Sequence, residues 1–241
     1  MIDWSSIRSV FFDLDNTLID HTGAEQRAFE MCFERCEFGG GEYTCEELLG
    51  HYRRINNDLW SAYRRGEVTT DEVRHERFRR VLSLQFPYTI HSVSTEKVSE
   101  VYLSLYDTAS IPLDGAMEAI DLAKKRYGFV GIITNGFPRQ VARKLEHHRW
   151  TATFDVVIIS SLVGVAKPHP DVFKTALATR NHEPGEAVYI GDNFEADVVG
   201  AKNAGWKAIY VRNDHDAEGT SIRPDLTVSS LRALHPLLER T

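Results

Sequence analysis

Five short runs constrain this chain more than anything else in it. Val10 to Phe12, Phe129 to Ile133, Val156 to Ser160, Ala187 to Ile190 and Lys207 to Val211 are apolar at nearly every position rather than at alternate ones. A strand of that kind needs cover on both faces, which a parallel sheet flanked by helices provides and a half-solvated antiparallel sheet does not. From Pro112 onward the runs alternate with stretches of helical period: about Gly115 to Arg126, Arg139 to His147, Pro170 to Thr179 and Glu195 to Ala204. A short strand near Leu226 to Val228 and a helix from Leu231 complete the series. The expected fold is α/β, a doubly wound, Rossmann-like parallel sheet.

Between the first run and the second the strand pattern disappears. Ala24 to Cys36 has helical spacing, with Ala28, Met31, Cys32 and Cys36 on one side, and Gly39-Gly40-Gly41 breaks it. Thr44 with Glu47 and Thr69 with Glu72 form capping-box patterns, opening one helix to about Tyr63, with Gly66 as its stop, and another that turns Phe78, Val81 and Leu82 inward. A last helix runs from about Thr95 to Tyr106 on Val98, Val101, Tyr102 and Leu105. So long a helical block exceeds one strand-to-strand crossover. The expected organisation is a core of residues 1–19 and 112–241 with an α-helical domain, 20–111, inserted behind the first strand.

Polar groups gather where the apolar runs stop. Val10-Phe11-Phe12 ends at Asp13-Leu14-Asp15-Asn16-Thr17-Leu18, two carboxylates and a hydroxyl at spacings of two. Such a set can serve as a nucleophile with a proton carrier, or hold a hard cation through oxygen, and it can equally be a turn with a helix cap. Thr134-Asn135-Gly136 follows the second run as either an anion cradle or a turn with Asn as N-cap. Lys167 precedes Pro168, and Gly191-Asp192-Asn193-Phe194-Glu195-Ala196-Asp197 follows the fourth run. In open α/β sheets, ligands bind at the carboxyl ends of the strands, where all of these fall.

These four stretches, in this order, resemble the four motifs of the haloacid dehalogenase superfamily. The resemblance covers the whole chain and implies a magnesium-dependent phosphomonoesterase working through an aspartyl-phosphate. On it, Asp13 is the nucleophile, Asp15 the general acid and base, and Thr134 and Lys167 complete the catalytic set. Thr134, Asn135 and Lys167 bind phosphate; the Asp13 carboxylate, the Asp15 backbone carbonyl and Asp192 hold Mg²⁺; Asn193 and Asp197 support that shell. An acid at Asp15 favours a phosphatase over a dehalogenase, whose halide leaves unprotonated.

The stretch His51 to Trp60, with Asn56-Asn57-Asp58-Leu59-Trp60, then Tyr63, Gly66 to Thr69 and Arg77-Phe78, is similar to the helical type 1 caps of the pyrimidine 5′-nucleotidase subgroup. Thr134 to Phe137 and Val163 to Pro168 match that subgroup too. The implied substrates are pyrimidine nucleoside 5′-monophosphates, with Asn56 and Arg77 as contacts. Trp60, Tyr63 and Phe78 suit the helical domain's own core, and the arginines from Arg53 to Arg80 a solvated face or an anion-steering one. The alternatives are a sugar-phosphate phosphatase of the acylneuraminate-9-phosphatase type, a phosphomutase, a 2-haloacid dehalogenase, or a non-catalytic binding module. The last of these predicts a broken catalytic set.

Composition narrows the setting. With 35 acidic against 28 basic residues and a net charge of −7, the chain has no basic footprint for a nucleic acid polymer. No apolar run is long enough for a membrane span, and Met1-Ile2-Asp3-Trp4 opens no signal peptide. Cys32, Cys36 and Cys45 make no disulfide framework and are expected as free thiols in a cytoplasmic protein. The expected partner is a small-molecule phosphomonoester.

Overall fold

The computed structural model describes residues 2–88, 92–178, 180, 182–211 and 221–239. They form two compact units, Met1–His21 with Ile111–Thr241, and Thr22–Ser110. Among the described residues no helix is long and apolar enough to cross a membrane.

The described residues of the second unit carry the α-helices α1 (His21–Arg35), α2 (Cys45–Arg64), α3 (Thr70–Gln85) and α4 (Thr95–Ala109) and a 3₁₀ turn, Phe38–Gly40. Both capping boxes form: Thr44 and Thr69 accept from the backbone N–H of Glu47 and Glu72, whose carboxylates accept in return from the cap residues' own N–H groups. Each box satisfies two donors that a helix start otherwise leaves without partners. Ala24, Ala28, Cys32 and Cys36 turn inward at steps of four and pack with Phe29, Tyr52, Phe78 and Tyr102. Met31, expected on that side, is 42% exposed, because Phe29 and Cys32 occupy the inward stripe on either side of it. The loop after α1 is pinned by buried Gln85, whose amide donates to the carbonyls of Phe38 (2.6 Å) and Tyr43 (2.9 Å) and accepts from Tyr43 N–H (3.0 Å).

The first unit holds one six-stranded sheet of β1 (Ser9–Phe12), β2 (Val130–Thr134), β3 (Val156–Ile159), β4 (Ala187–Gly191), β5 (Lys207–Val211) and β6 (Leu226–Val228). Every pair is parallel, and the order β3-β2-β1-β4-β5-β6 makes the gap between β1 and β4 the switch point of the winding. Helices cover both faces. Val10, Phe12, Ile132, Val188 and Ile190 pack against α5 (Ala116–Tyr127) and α6 (Pro138–His147). On the other face Phe11, Ile133, Tyr189 and Ala208 meet α8 (Pro170–Leu177) and α9 (Gly200–Asn203), after a one-turn α7 (Ser160–Val163).

Two helices differ from expectation. Residues 195–204, read as one helix, begin as a π-helical turn, Phe194–Val199, before α9. Within that turn the Asp197 carboxylate reaches back to Asn193 N–H at 3.0 Å, a side-chain closure that a regular helical pattern does not encode. The helix from Leu231 starts as a 3₁₀ turn, Leu231–Leu234, and only then becomes α10 (His235–Glu239). Residue 179, included in the expected helix from Pro170, lies outside the described residues.

Candidate active site

The site grows from the end of β1. Asp13 N–H still donates to Ile190 C=O at 2.9 Å, so the strand pairing carries on to the residue that bears the first carboxylate. The chain then turns sharply: Asn16 sits at φ 62°, a left-handed conformation that Asn tolerates, and its N–H closes the loop on Ile19 C=O at 2.8 Å. Thr17, one residue beyond, is fully buried and donates to Asp192 Oδ1 at 3.1 Å, tying this loop to the end of β4.

Lys167 links the strand ends. Its buried ammonium donates to Asp13 Oδ1 (2.6 Å), Asp197 Oδ1 (2.7 Å) and the Tyr189 hydroxyl (2.7 Å), using all three of its hydrogens. Tyr189 passes the interaction on by donating to Ile133 C=O at 2.7 Å. The lysine's backbone is fixed as well: Asn135 Oδ1 accepts from Lys167 N–H (2.9 Å) while Asn135 Nδ2 donates to Lys167 C=O (3.1 Å). Asn135 is therefore not the N-cap of α6; Phe137 holds that position. Nor does Lys167 open a helix: α8 begins at Pro170 with His169 as its cap.

Thr134 Oγ1 accepts from Gly136 N–H at 3.0 Å, and a Cβ on Gly136 would stand 3.3 Å from that hydroxyl and 3.7 Å from Asp15 Oδ2. Thr134 and Asp15 thus flank one small space. Gly191 is required by a still closer approach, since a Cβ there would fall 2.3 Å from Asp197 Oδ2. Asn193 caps the π-helical turn by accepting from Ala196 N–H at 2.9 Å.

The electrostatics fit a cation. Asp13, Asp192 and Asp197 each offer an oxygen, all within 4.8 Å of one another. Burial, together with Asp197 and Asp192, pushes the Asp13 carboxyl well above the usual carboxylate range despite Lys167. Burial and the Asp197 charge push Asp192 up to about 7. Burial lowers the affinity of Lys167 for its proton, but Asp13 and Asp197 outweigh it and hold the ammonium charged. Three acids crowd one ammonium. A hard divalent ion with oxygen preference would relieve the excess negative charge, so the donor set fits magnesium better than a soft metal.

Asp15 differs. Burial raises its carboxyl, but Lys144 Nζ at 2.5 Å and His21 Nδ1 at 4.0 Å outweigh that and keep it below the usual range. Lys144 and Tyr189 escaped sequence reasoning. A signal existed for Lys144, which shares the buried stripe of α6 with Val141 and Leu145. Tyr189 is the only hydroxyl-bearing residue in β4.

The structure brings Asp13, Asp15, Asn135, Thr134, Lys167, Asp192, Asn193 and Asp197 together within the first unit. Asn56 and Arg77 lie in the helical unit, both buried, with Arg77 Nη1 donating to Asn56 Oδ1 at 3.4 Å and to the Tyr52 hydroxyl at 3.1 Å. Phe78 is fully buried, whereas Trp60 and Tyr63 are half-buried and meet edge to face at 5.5 Å.

Residues 7–205 match the haloacid dehalogenase-like hydrolases, more than half of the chain. The chain belongs to that family. This hydrolase is 30% identical to the pyrimidine 5′-nucleotidase YjjG of Escherichia coli (strain K12) over 240 residues, 98% of this chain and 97% of the other. It is 28% identical to the glyceraldehyde 3-phosphate phosphatase of Pyrococcus furiosus over 97% of this chain and 94% of that one. Among solved structures, the HAD-hydrolase YfnB of Bacillus subtilis, bound to magnesium, superposes with a TM-score of 0.81 at 24% identity, covering 97% of this chain and 99% of that one.

Proposed function

We propose that this hydrolase is a magnesium-dependent phosphomonoesterase in which Asp13 is the nucleophile. The observation that carries the reading is Lys167 Nζ held between Asp13 Oδ1 and Asp197 Oδ1 at 2.6 and 2.7 Å, with Asp192 completing the acidic set and Asp15 two residues beyond the nucleophile. Magnesium would be held by the Asp13 carboxylate, the Asp15 backbone carbonyl and Asp192, with Asn193 and Asp197 fixing the surrounding groups. Bound there, it supplies the positive charge that lets a phosphate dianion approach a carboxylate.

The chain's own residues do the rest. Lys167 and Thr134 meet the phosphoryl oxygens, and Asn135 keeps Lys167 in place through its backbone. An Asp13 oxygen attacks phosphorus, the ester P–O bond breaks, and the leaving oxygen takes a proton from Asp15. Water then attacks the phosphorus of the aspartyl-phosphate and gives a proton to Asp15, and the bond to Asp13 breaks to release inorganic phosphate. Paired with Lys144, Asp15 begins as a carboxylate, the form the second step needs. A phosphate dianion beside it disfavours that charge, so Asp15 takes up a proton from solvent as the substrate binds and delivers it in the first step. Such acid–base assistance contributes about 10²–10⁴-fold.

The helical unit, residues 20–111 in the sequence reading, serves as a cap that selects the leaving group, and free cysteines suit a cytoplasmic setting. Pyrimidine nucleoside 5′-monophosphates are the favoured substrates, on the strength of full-length similarity to a relative of that name. Sugar phosphates are the second reading, supported by the similarity to an archaeal triose-phosphate phosphatase. The deciding experiment is phosphate release with magnesium across nucleoside monophosphates and sugar phosphates, with Asp13→Asn as the blank. Turnover at least a thousandfold lower in the blank is expected, by roughly the cost of losing a covalent nucleophile. An Asp13→Asn enzyme that turns over normally would refute the mechanism.

A further inference from the structure

Lys144 is a buried charge, 3% exposed, in the apolar stripe of α6. Val141 and Leu145, on either side of it in that stripe, belong to the core that packs on the sheet. Its ammonium ends 2.5 Å from Asp15 Oδ1, just past the end of β1. Taking an ammonium out of water is costly, and an apolar residue of similar volume commonly serves stability as well as a buried ion pair does, or better. Packing alone would call for leucine or methionine at this position rather than lysine.

The grip on Asp15 is one-sided. The ammonium and His21 Nδ1, the latter at 4.0 Å, both approach Oδ1. Oδ2 lies toward the small space beside Thr134, where a Cβ on Gly136 would stand 3.7 Å from it and 3.3 Å from Thr134 Oγ1. The Asp15 side chain keeps 25% exposure, so without an anchor it would be free to move among staggered χ1 positions. The nucleophile is held separately. Lys167 reaches Asp13 beside Tyr189, whose ring packs on one face of the sheet, whereas α6 covers the other face. Asp13 and Asp15 thus each have a lysine of their own, and either can be disturbed without the other.

We propose that Lys144 is a positioning residue for proton transfer: by gripping Oδ1 it turns Oδ2 of Asp15 toward the reacting oxygen, so that Oδ2 carries the proton in both steps. This rests on the phosphomonoesterase reading and assigns its acid and base to one atom. In the first step the Oδ2–H bond breaks with the ester P–O bond, and the leaving oxygen keeps the bonding pair and gains the proton. In the second, water bonds to phosphorus and its proton passes to Oδ2 as the bond from phosphorus to Asp13 breaks. Lys144 keeps its own protons throughout and acts through Asp15.

A misplaced acid shows in the leaving group. An ester whose oxygen departs readily as an anion needs little help from an acid, whereas a poorer leaving group needs the proton in place. p-Nitrophenyl phosphate and phenyl phosphate differ in this respect and are similar in shape, and kcat/KM reports transfer to Asp13 without the later hydrolysis. The test measures the ratio of kcat/KM, p-nitrophenyl over phenyl, in the wild type, Lys144→Met, Asp15→Asn and the double variant, each checked for folding by circular dichroism and thermal unfolding. Lys144→Met should raise the ratio about tenfold, a part of the roughly 10²–10⁴-fold that a placed acid supplies. In the Asp15→Asn background the same change should leave the ratio unmoved, as two residues acting as one unit require. An unchanged ratio in folded Lys144→Met overturns the proposal, as does an equal rise in both backgrounds. Should Lys144→Met not fold, Lys144→Gln, shorter and uncharged, is judged by the same ratio. An Asp15→Asn enzyme with the wild-type ratio defeats the acid–base reading of Asp15 and the role of Lys144 with it. A ratio raised by Asp15→Asn and not by Lys144→Met spares that reading and defeats the lysine's role alone.

Discussion

At the scale of single residues, the site depends on how a buried ammonium is satisfied. Lys167 has three hydrogens and three acceptors, and the Tyr189 hydroxyl is the neutral one among them. Tyr189→Phe removes that oxygen without changing the ring that packs on Phe173 and Trp206. It leaves one N–H of Lys167 and the Ile133 carbonyl without a partner, each a buried group. The expected result is a loss of about 1–3 kcal/mol in stability, read from urea unfolding, with kcat lowered as the lysine gains freedom. Full activity and stability in Tyr189→Phe would mean that Asp13 and Asp197 alone fix the lysine. Asp13 and Asp192 were legible in the sequence because each ends an apolar run, where a carboxylate has no packing reason to be. Tyr189 was not, because within β4 a tyrosine reads as one more apolar residue, and only the fold brings its hydroxyl to Lys167.

Among elements, the weakest link in the sheet is its edge. Strand β6 has three residues and pairs with β5 alone, so its attachment depends on what fixes its entry. Asp225 does this: its N–H donates to Ala208 C=O at 2.9 Å, and its Oδ2 accepts from Ala208 N–H (2.9 Å) and Lys202 Nζ (2.8 Å). Burial raises the Asp225 carboxyl, but these bonds outweigh it and hold it below its ordinary range. A carboxyl lower in the folded than in the unfolded chain stabilises fully above the unfolded value, about 3.9, and that stabilisation is lost as pH falls through the folded one. Asp225→Asn should therefore cost about 1–3 kcal/mol near neutral pH and progressively less as the pH falls below about 4. Equal penalties at both pH values would assign the effect to packing. Helices and strands were legible here where period and caps agree, as at Thr44 and Thr69, and least where a side chain reshapes the backbone, as Asp197 does in the π-helical turn.

For the molecule as a whole, the chain divides into two compact units. The block of helices between the first two strands is visible in the sequence as a missing strand rhythm, whereas the charge inside it is not: Arg77 sits in a run of arginines, and only burial separates it from the others. Metal binding offers a way to tell the units apart in solution, since every carboxylate of the acidic cluster belongs to the unit containing the sheet. A ligand that binds the folded state alone adds about 2.7 kcal/mol at a hundred times its Kd, a rise of roughly 5–10 °C in midpoint for a chain of this size. Magnesium should raise the midpoint of the transition that includes the sheet, and should not move a separate transition of the helical unit if calorimetry resolves one. Asp192→Asn removes one ligand and also relieves the crowding that pushes Asp192 up to about 7. The variant should then be no less stable than the wild type without magnesium, yet gain little when magnesium is added. A variant that responds as strongly as the wild type would remove Asp192 from the metal shell, and a wild-type midpoint indifferent to magnesium would leave Lys167 to counter the cluster's charge.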